Sequence, residues 1–112
     1  MKSDLHAFAL KILGQHRIMT VATNRSDGWP QATIVGYAND GLLLYFFIAR
    51  LSQKFTNIKR DSRVSAAIGS DFADDLDING LSLAGRAEIV ARDDEYERAA
   101  DIFLNRFSEY AG

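Results

Sequence analysis

The stretch IARLSQKFTNIKRDSR, residues 48–63, decides the interpretation of the chain, because a strongly apolar segment ends there and the basic residues collect there. The part from Arg50 to Arg63 holds five basic residues and one acidic residue, a net charge of +4. The whole chain has a net charge of −2, so everything outside this part carries −6. The positive charge is therefore concentrated in one short segment.

Ser52 predicts the start of a short helix within this stretch, since serine is a preferred N-cap residue and Phe55 and Ile58 then share the inner face. Lys54 falls in the first turn, where a cation opposes the helix macrodipole by about 0.3 to 1 kcal/mol. A bound anion would remove that conflict. Unpaired backbone N–H groups, the capping hydroxyl, Arg50 and Lys54 together predict a phosphate cradle at the corner between strand and helix. The alternative is a solvated basic helix end without a ligand.

Composition predicts one soluble globular domain that covers residues 1–112. Its 112 residues, 47% of them hydrophobic and 25% charged, supply one core and leave no room for a second. The chain has no cysteine, which excludes disulfides and a cysteine nucleophile and favours a cytoplasmic location. It shows neither a signal-peptide pattern nor an apolar run of roughly 18 residues, the length of a membrane span. The acidic balance argues against broad nucleic-acid binding.

Hydrophobic periodicity and turn signals predict five strands between terminal helices. The strands are expected at residues 17–24, 31–38, 42–49, 63–69 and 80–91. The first helix is expected to be capped by Ser3 and ended by Gly14, and the last to cover residues 94–110. The continuous apolar strand 42–49 should be buried on both faces, and Gly85 should mark a bulge or a close approach. This pattern predicts a mainly β protein, an antiparallel β-barrel with flanking helices.

Two further patterns bear on metal binding. The segment DLDING, residues 75–80, begins like a calcium loop, but Arg86 occupies the twelfth position, where a bidentate glutamate is needed. His6 and His16 are ten residues apart without a patterned carboxylate partner, and are expected to be ordinary surface histidines. We therefore expect no metal site.

A longer pattern resembles a known family. It consists of GWPQATIVGY at 28–37, DGLLLYFFIARLSQKFTNIKRDSRVSAAI at 40–68 and LAGRAEIVARDDE at 83–95. These segments resemble the FMN-binding split β-barrel family related to pyridoxamine 5′-phosphate oxidase, in particular its short general-stress-protein-like branch. The family pattern S-x-K-x-x-N-[IL], then Asp or Asn, then R-V, is matched by Ser52, Lys54, Asn57, Ile58, Asp61, Arg63 and Val64.

The resemblance implies a fold, a cofactor and an assembly. The fold is a split barrel with a Greek-key-like antiparallel sheet, and the assembly is a homodimer with two flavins at its interface. The flavin phosphate is implied to be held by Arg50, Ser52, Gln53 and Lys54. The isoalloxazine is implied to be lined by Thr33, Ile34, Val35, Phe47, Ile48 and Ala49.

The activity implied by the resemblance is hydride transfer through bound FMN to or from a small substrate or a nicotinamide. No catalytic side chain is assigned, since the flavin carries the redox chemistry. One alternative is a non-catalytic flavin-binding or anion-binding stress or sensor dimer. Another is a split barrel that binds deazaflavin F420 or haem.

The sequence departs from the family pattern at four points. Ile48 stands where the family commonly has threonine, and Gly80 stands where a polar residue is common. The sequence ends at Gly112, before the family's last strand, so either the barrel closes with five strands or the chain is a shortened version. The family oxidase's C-terminal tryptophan and arginine segment is absent, which argues against pyridoxamine phosphate oxidation itself.

Overall fold

The computed structural model describes residues 2–71, 78–90 and 94–111, with side chains at 4–69, 80–90 and 94–107. Three helices and five strands follow one another as α1 (Lys2–Gln15), β1 (Ile18–Asn24), β2 (Pro30–Asp40), β3 (Leu43–Phe46), α2 (Gln53–Arg60), β4 (Arg63–Asp71), β5 (Ile78–Arg86) and α3 (Asp94–Ala111). Residues 75–77 of the calcium-like segment lie outside the described residues. The predicted ends of α1 are wrong, because Ser3 and Gly14 both lie within the helix.

The strands form one antiparallel sheet in the order β3-β2-β1-β4-β5. The first three strands pair in chain order as a meander, and β4 and β5 pair as neighbours on the other side of β1. The sheet curls into a half-barrel, which confirms the split-barrel class. In the described part of the chain, the edge strands β3 and β5 are not hydrogen-bonded to each other.

One face of the sheet carries the hydrophobic core, because side chains alternate between the two faces of a strand. On β1, Met19 and Val21 are buried, whereas Ile18 is exposed. Helix α1 contributes Ile12 and Leu13 to the same core. Fully burying such a side chain stabilises the fold by about 1.5 to 3 kcal/mol. The alternation thus fixes which residues point away from the core.

The outward face of the sheet is only partly covered. At one end of β2, Gly36 lies under α3, where an added Cβ would meet Phe107 Cζ at 3.0 Å and Phe103 Cζ at 3.5 Å. Further along, the sheet carries a row of exposed cross-strand neighbours. The row consists of Ile34, Thr20, Ala67 and Ser82. Most of the exposed side chains in this row are small.

The third strand is shorter and more exposed than predicted. It ends at Phe46, so residues 47–49 are not part of it, and Leu43 and Phe47 are each 51% exposed. The expectation of burial on both faces is wrong for this chain because β3 is an edge strand that pairs with β2 alone. Apolar composition predicted a strand, but it did not predict the strand's place in the sheet.

The glycine expected to interrupt β5 is paired regularly. Gly85 lies opposite Val64 in an unbroken register, and nothing lies within 4 Å of a Cβ added there, so the predicted bulge or close approach is wrong. The close approach occurs at Gly80, where an added Cβ would lie 3.3 Å from the Ile68 carbonyl oxygen. The strand also ends at Arg86, earlier than expected.

Candidate cofactor site

The corner between β3 and α2 is closed by Ser52. Its backbone N–H and its hydroxyl both donate to the Ala49 carbonyl, over 3.0 and 2.7 Å, and its Oγ accepts from the Phe55 N–H over 3.2 Å. The N-cap prediction is confirmed. A hydroxyl has one proton, and here Ala49 takes it. Ser52 therefore acts as the cap, and it can donate to a phosphate only if that bond breaks.

The first turn of α2 is left with unmatched positive charge. Ser52 caps the N–H of Phe55, whereas the N–H groups of Gln53 and Lys54 have no partner among the described residues. Arg50 is exposed and Lys54 is partly buried, and neither side chain forms an ion pair or hydrogen bond with the described residues. The first turn holds no acidic residue. This end of α2 offers two amides and two cations to an anion.

At the C-terminal end of α2, the basic side chains have partners within the fold. Lys59 Nζ lies 5.8 Å from the centre of the Phe55 ring, within the usual distance for a cation–π interaction. Arg60 donates to the backbone carbonyl of Asn24 over 2.6 Å, which fastens the last turn of the helix to the end of β1. Both residues belong to the basic stretch, and both have a partner within the fold.

The next cation, Arg63, is paired with Asp61, the C-cap residue of α2. Its Nε and Nη2 donate to Asp61 Oδ1 and Oδ2 over 3.0 and 2.8 Å, and Asn24 Nδ2 donates to the same carboxylate over 3.2 Å. The hydrogen bond from the Arg63 guanidinium is the main cause that holds the pKa of Asp61 well below its ordinary value of 3.8. This pair holds the start of β4 to the end of α2.

Between the two ends lies a buried amide, Asn57, which is 1% exposed. Its Nδ2 donates to Thr23 Oγ1 over 2.9 Å and to Gln31 Oε1 over 3.2 Å, and its Oδ1 accepts from Gln53 Nε2 over 2.8 Å. The network connects the first residue of α2 to β1 and β2. The sequence showed Asn57 only as a motif letter. The available signal was a polar residue next to Ile58 on the inner helix face.

The three residues of β2 expected at the isoalloxazine do not share a face. Val35 is buried in the core and Thr33 points to the same side, whereas Ile34 points outward and is 69% exposed. Among the described side chains, Thr33 Oγ1 is the buried polar atom without a hydrogen-bond partner. An unpaired buried hydroxyl costs about 1 to 3 kcal/mol, so a ligand atom that reaches it would be stabilised.

The three expected residues after β3 also differ in surroundings. Phe47 stacks on Phe103 of α3, with ring centres 4.5 Å apart and planes inclined by 10°. Ile48 packs against the core, which explains why an apolar residue is accommodated where the family commonly has threonine. Ala49 is exposed, and its carbonyl oxygen accepts the hydrogen bond from the Ser52 hydroxyl. These residues form the path from the sheet to the corner.

Two surface grooves lie elsewhere in the described part of the chain. One, of about 480 Å³, is lined by Ala22, Asn24, Pro30, Arg63, Val64, Ser65, Ala84, Gly85 and Arg86. The other, of about 320 Å³, is lined by Asp40, Leu43, Tyr45, Asp94, Glu95 and Arg98. Neither groove includes a residue expected to bind the cofactor.

The described side chains contain no group of three or more potential metal ligands. Of the two histidines, His6 is exposed and His16 directs Nδ1 to the Ile12 carbonyl oxygen at 2.9 Å. None of the helices in the described ranges is long and apolar enough to cross a membrane.

Several solved structures share this fold. A haem-binding protein from Mycobacterium smegmatis is 27% identical, with a TM-score of 0.82 over 95% of this chain and 44% of that one. A conserved hypothetical protein from Mycobacterium tuberculosis is 30% identical, with a TM-score of 0.78 over 96% of this chain and 64% of that one. An FAD-binding protein from Mesorhizobium loti, 21% identical with a TM-score of 0.75 over 90% of this chain and 71% of that one, shows likeness of fold alone.

The chain therefore spans less than two thirds of the length of the two mycobacterial proteins. No curated protein matches the sequence significantly. The sequence model described as pyridoxamine 5′-phosphate oxidase matches residues 5–111, nearly the whole chain. That match includes the Ser52 corner, Asn57 and the Asp61–Arg63 pair. The chain belongs to the pyridoxamine 5′-phosphate oxidase family.

Proposed function

We propose that this chain binds FMN and acts as a cytoplasmic flavin-dependent oxidoreductase, with the flavin phosphate at the N-terminal end of α2. The observation that carries the proposal is the division of the basic stretch. Lys59, Arg60 and Arg63 have partners within the fold, whereas Arg50 and Lys54 have none among the described residues. Cations retained without a protein partner beside unpaired helix amides suit a bound phosphate.

The residues of the corner fit a phosphate ester. The N–H groups of Gln53 and Lys54 donate along the helix axis, Lys54 supplies a point charge, and Arg50 can approach from the preceding turn. Ser52 contributes by holding the turn, since its proton is bound to Ala49. The role assigned to the Ser52 hydroxyl is thus positional.

The ring end of the cofactor is proposed to lie over the path from the corner to the sheet. When bound, FMN supplies hydride chemistry through its ring. Ile34 offers an exposed apolar side chain to the ring. The unpartnered Thr33 hydroxyl is buried on the opposite face of β2, so a contact with it requires the surface to open near Thr33. No side chain of this chain is assigned as acid or base.

A homodimer is part of the same proposal. The exposed row that contains Ile34, Thr20, Ala67 and Ser82 carries no charged side chain. A second copy that packs on this surface would complete the cofactor site. Obligate interfaces of this kind are large and apolar, so we expect no folded monomer on dilution.

Haem is a second candidate cofactor, favoured by the likeness to the haem-binding protein of M. smegmatis. A haem iron needs an axial ligand such as histidine or tyrosine. The corner described above contains neither, whereas its charges match a phosphate. FMN therefore fits the described residues better.

The absorbance spectrum of the purified protein tests the proposal. Bound FMN gives bands near about 370 and 450 nm, and their bleaching by a reduced nicotinamide would support an oxidoreductase. A Soret band instead of flavin bands would favour haem. Flavin bands that no reductant bleaches would support the non-catalytic alternative, a flavin-storing or sensing dimer.

A further inference from the structure

Asn57 links the first turn of α2 to the sheet. The basic side chains of residues 50–63 take no part in this link. The amide uses both of its N–H donors and one acceptor site within the fold, on three different elements. Thr23 and Gln31, its two acceptors, are cross-strand partners on β1 and β2. Thr23 is also 1% exposed, so water does not compete at that bond.

The two ends of α2 are attached to the fold in different ways. The C-terminal end is fastened twice, by Arg60 to the carbonyl of Asn24 and by Asp61 to the side chains of Asn24 and Arg63. The first turn has the local Ser52 cap and the bond from Gln53 to Asn57. Since Gln53 itself is exposed, the anchor of that turn to the sheet runs through Asn57.

We infer that Asn57, with Thr23 and Gln31, is a positioning network that sets where the unpaired N–H groups of Gln53 and Lys54 point. This inference rests on the proposed function, because it concerns the same phosphate site. A polar network of this kind replaces apolar packing on the inner face of an eight-residue helix. Hydrogen bonds are directional and hydrophobic contacts are not, so such a network fixes the orientation of the helix as well as its depth.

A positioning role for the network predicts a result that a purely stabilising role does not. FMN differs from riboflavin by its phosphate alone. The ratio of the FMN affinity to the riboflavin affinity therefore measures what the corner contributes to binding. Loss of the network should lower this ratio, because the phosphate donors move while the ring contacts on β2 and residues 47–49 are unaffected. A residue that only stabilises the fold would alter both affinities equally or neither.

The test uses Thr23→Val, which removes one acceptor of Asn57 at a site away from the corner. The control is Ile58→Val, a buried substitution in the same helix that touches no hydrogen bond of the network. Both ligands are titrated into parent and variants at a temperature where each is folded. We expect the FMN-to-riboflavin ratio to fall by about fivefold in Thr23→Val, the factor set by one neutral hydrogen bond, and to hold in Ile58→Val.

An unchanged ratio in Thr23→Val would overturn the inference, and so would an equal fall in Ile58→Val. If Thr23→Val does not fold, Gln31→Met replaces it and removes the other acceptor, with the same expected fall. A parent protein that binds FMN and riboflavin equally would contradict the proposed phosphate site, and the inference would fall with it. A clear parent ratio that survives the substitution defeats the inference alone.

Discussion

Both ends of helix α2 carry basic side chains, and the two ends differ in whether these side chains have partners among the described residues. At the C-terminal end, Arg60 and Arg63 are bound by Asn24 and Asp61. At the N-terminal end, Arg50 and Lys54 have no partner among the described residues. Cations suit the C-terminal end of a helix and oppose its N-terminal end. The proposal that Arg50 and Lys54 bind a ligand rests on this difference.

The largest effect is expected at Lys54. The Lys54→Ala variant should bind FMN about 1.5 to 3 kcal/mol more weakly, the range for a hydrogen bond to a charged group. Riboflavin affinity and thermal stability should change little, because Lys54 contacts no described side chain through an ion pair or hydrogen bond. Calorimetric titration with both ligands measures the difference.

Lys59→Ala is the matched control. It removes the same charge from the same helix, at the end where the cation lies over Phe55. FMN affinity should stay within about twofold of the parent, the scale of a screened surface charge. If Lys59→Ala weakens FMN as much as Lys54→Ala does, the two ends are equivalent and the comparison fails.

The second prediction concerns the C-terminal end of α2, and it concerns the stability of the fold and not the binding of FMN. Asp61→Asn should lower stability at pH 7, because the folded-state pKa of Asp61 is held below its ordinary value of 3.8, mainly by Arg63. The contribution of the carboxylate is complete above the unfolded-state pKa and is lost as pH falls through the folded-state pKa. The melting temperatures of parent and variant should therefore converge in acid.

Flavin binding separates this prediction from the first. FMN affinity at pH 7 should be the same in Asp61→Asn and in the parent, since the Asp61–Arg63 pair lies at the C-terminal end of α2, away from the proposed phosphate site. Melting curves that stay parallel from pH 7 down to acid would show that the pair does not stabilise the folded state.

The smallest effect is expected at Arg50. Its side chain is exposed, and exposed ion pairs contribute about 0.2 to 1 kcal/mol. Arg50→Ala should weaken FMN by an amount in this range, and the loss should shrink as salt is raised. Titrations at two salt concentrations measure it. A loss larger than that of Lys54→Ala would reverse the assignment within the corner.

Local sequence signals predicted the Ser52 cap but did not predict the edges of the sheet. The Ser52 cap follows from residues within three positions of it, so the sequence was sufficient. The end of β3 at Phe46 depends on β3 being an edge strand, which is a property of the whole sheet. The role of Asn57 depends on Thr23 and Gln31, which are 34 and 26 residues away. Periodicity carries no signal for such pairs.

The assignment of the ring-lining residues shows the same limit. The resemblance implied that Thr33, Ile34 and Val35 all line the ring, but consecutive residues of a strand point to opposite faces. Burial sets Val35 in the core and Ile34 on the open surface. The resemblance points to a segment of the chain, and the fold divides the side chains of that segment between a buried face and an exposed face.

The central claim is that the N-terminal end of α2 holds the phosphate of FMN, and amide chemical shifts test it most directly. Isotope-labelled protein is titrated with FMN and, in parallel, with riboflavin. We predict that the N–H resonances of Gln53 and Lys54 shift strongly with FMN and weakly with riboflavin, while that of Asp61 responds to neither. FMN-specific shifts centred instead on Arg63 and Arg86, in the groove at the other end of the sheet, would contradict the account.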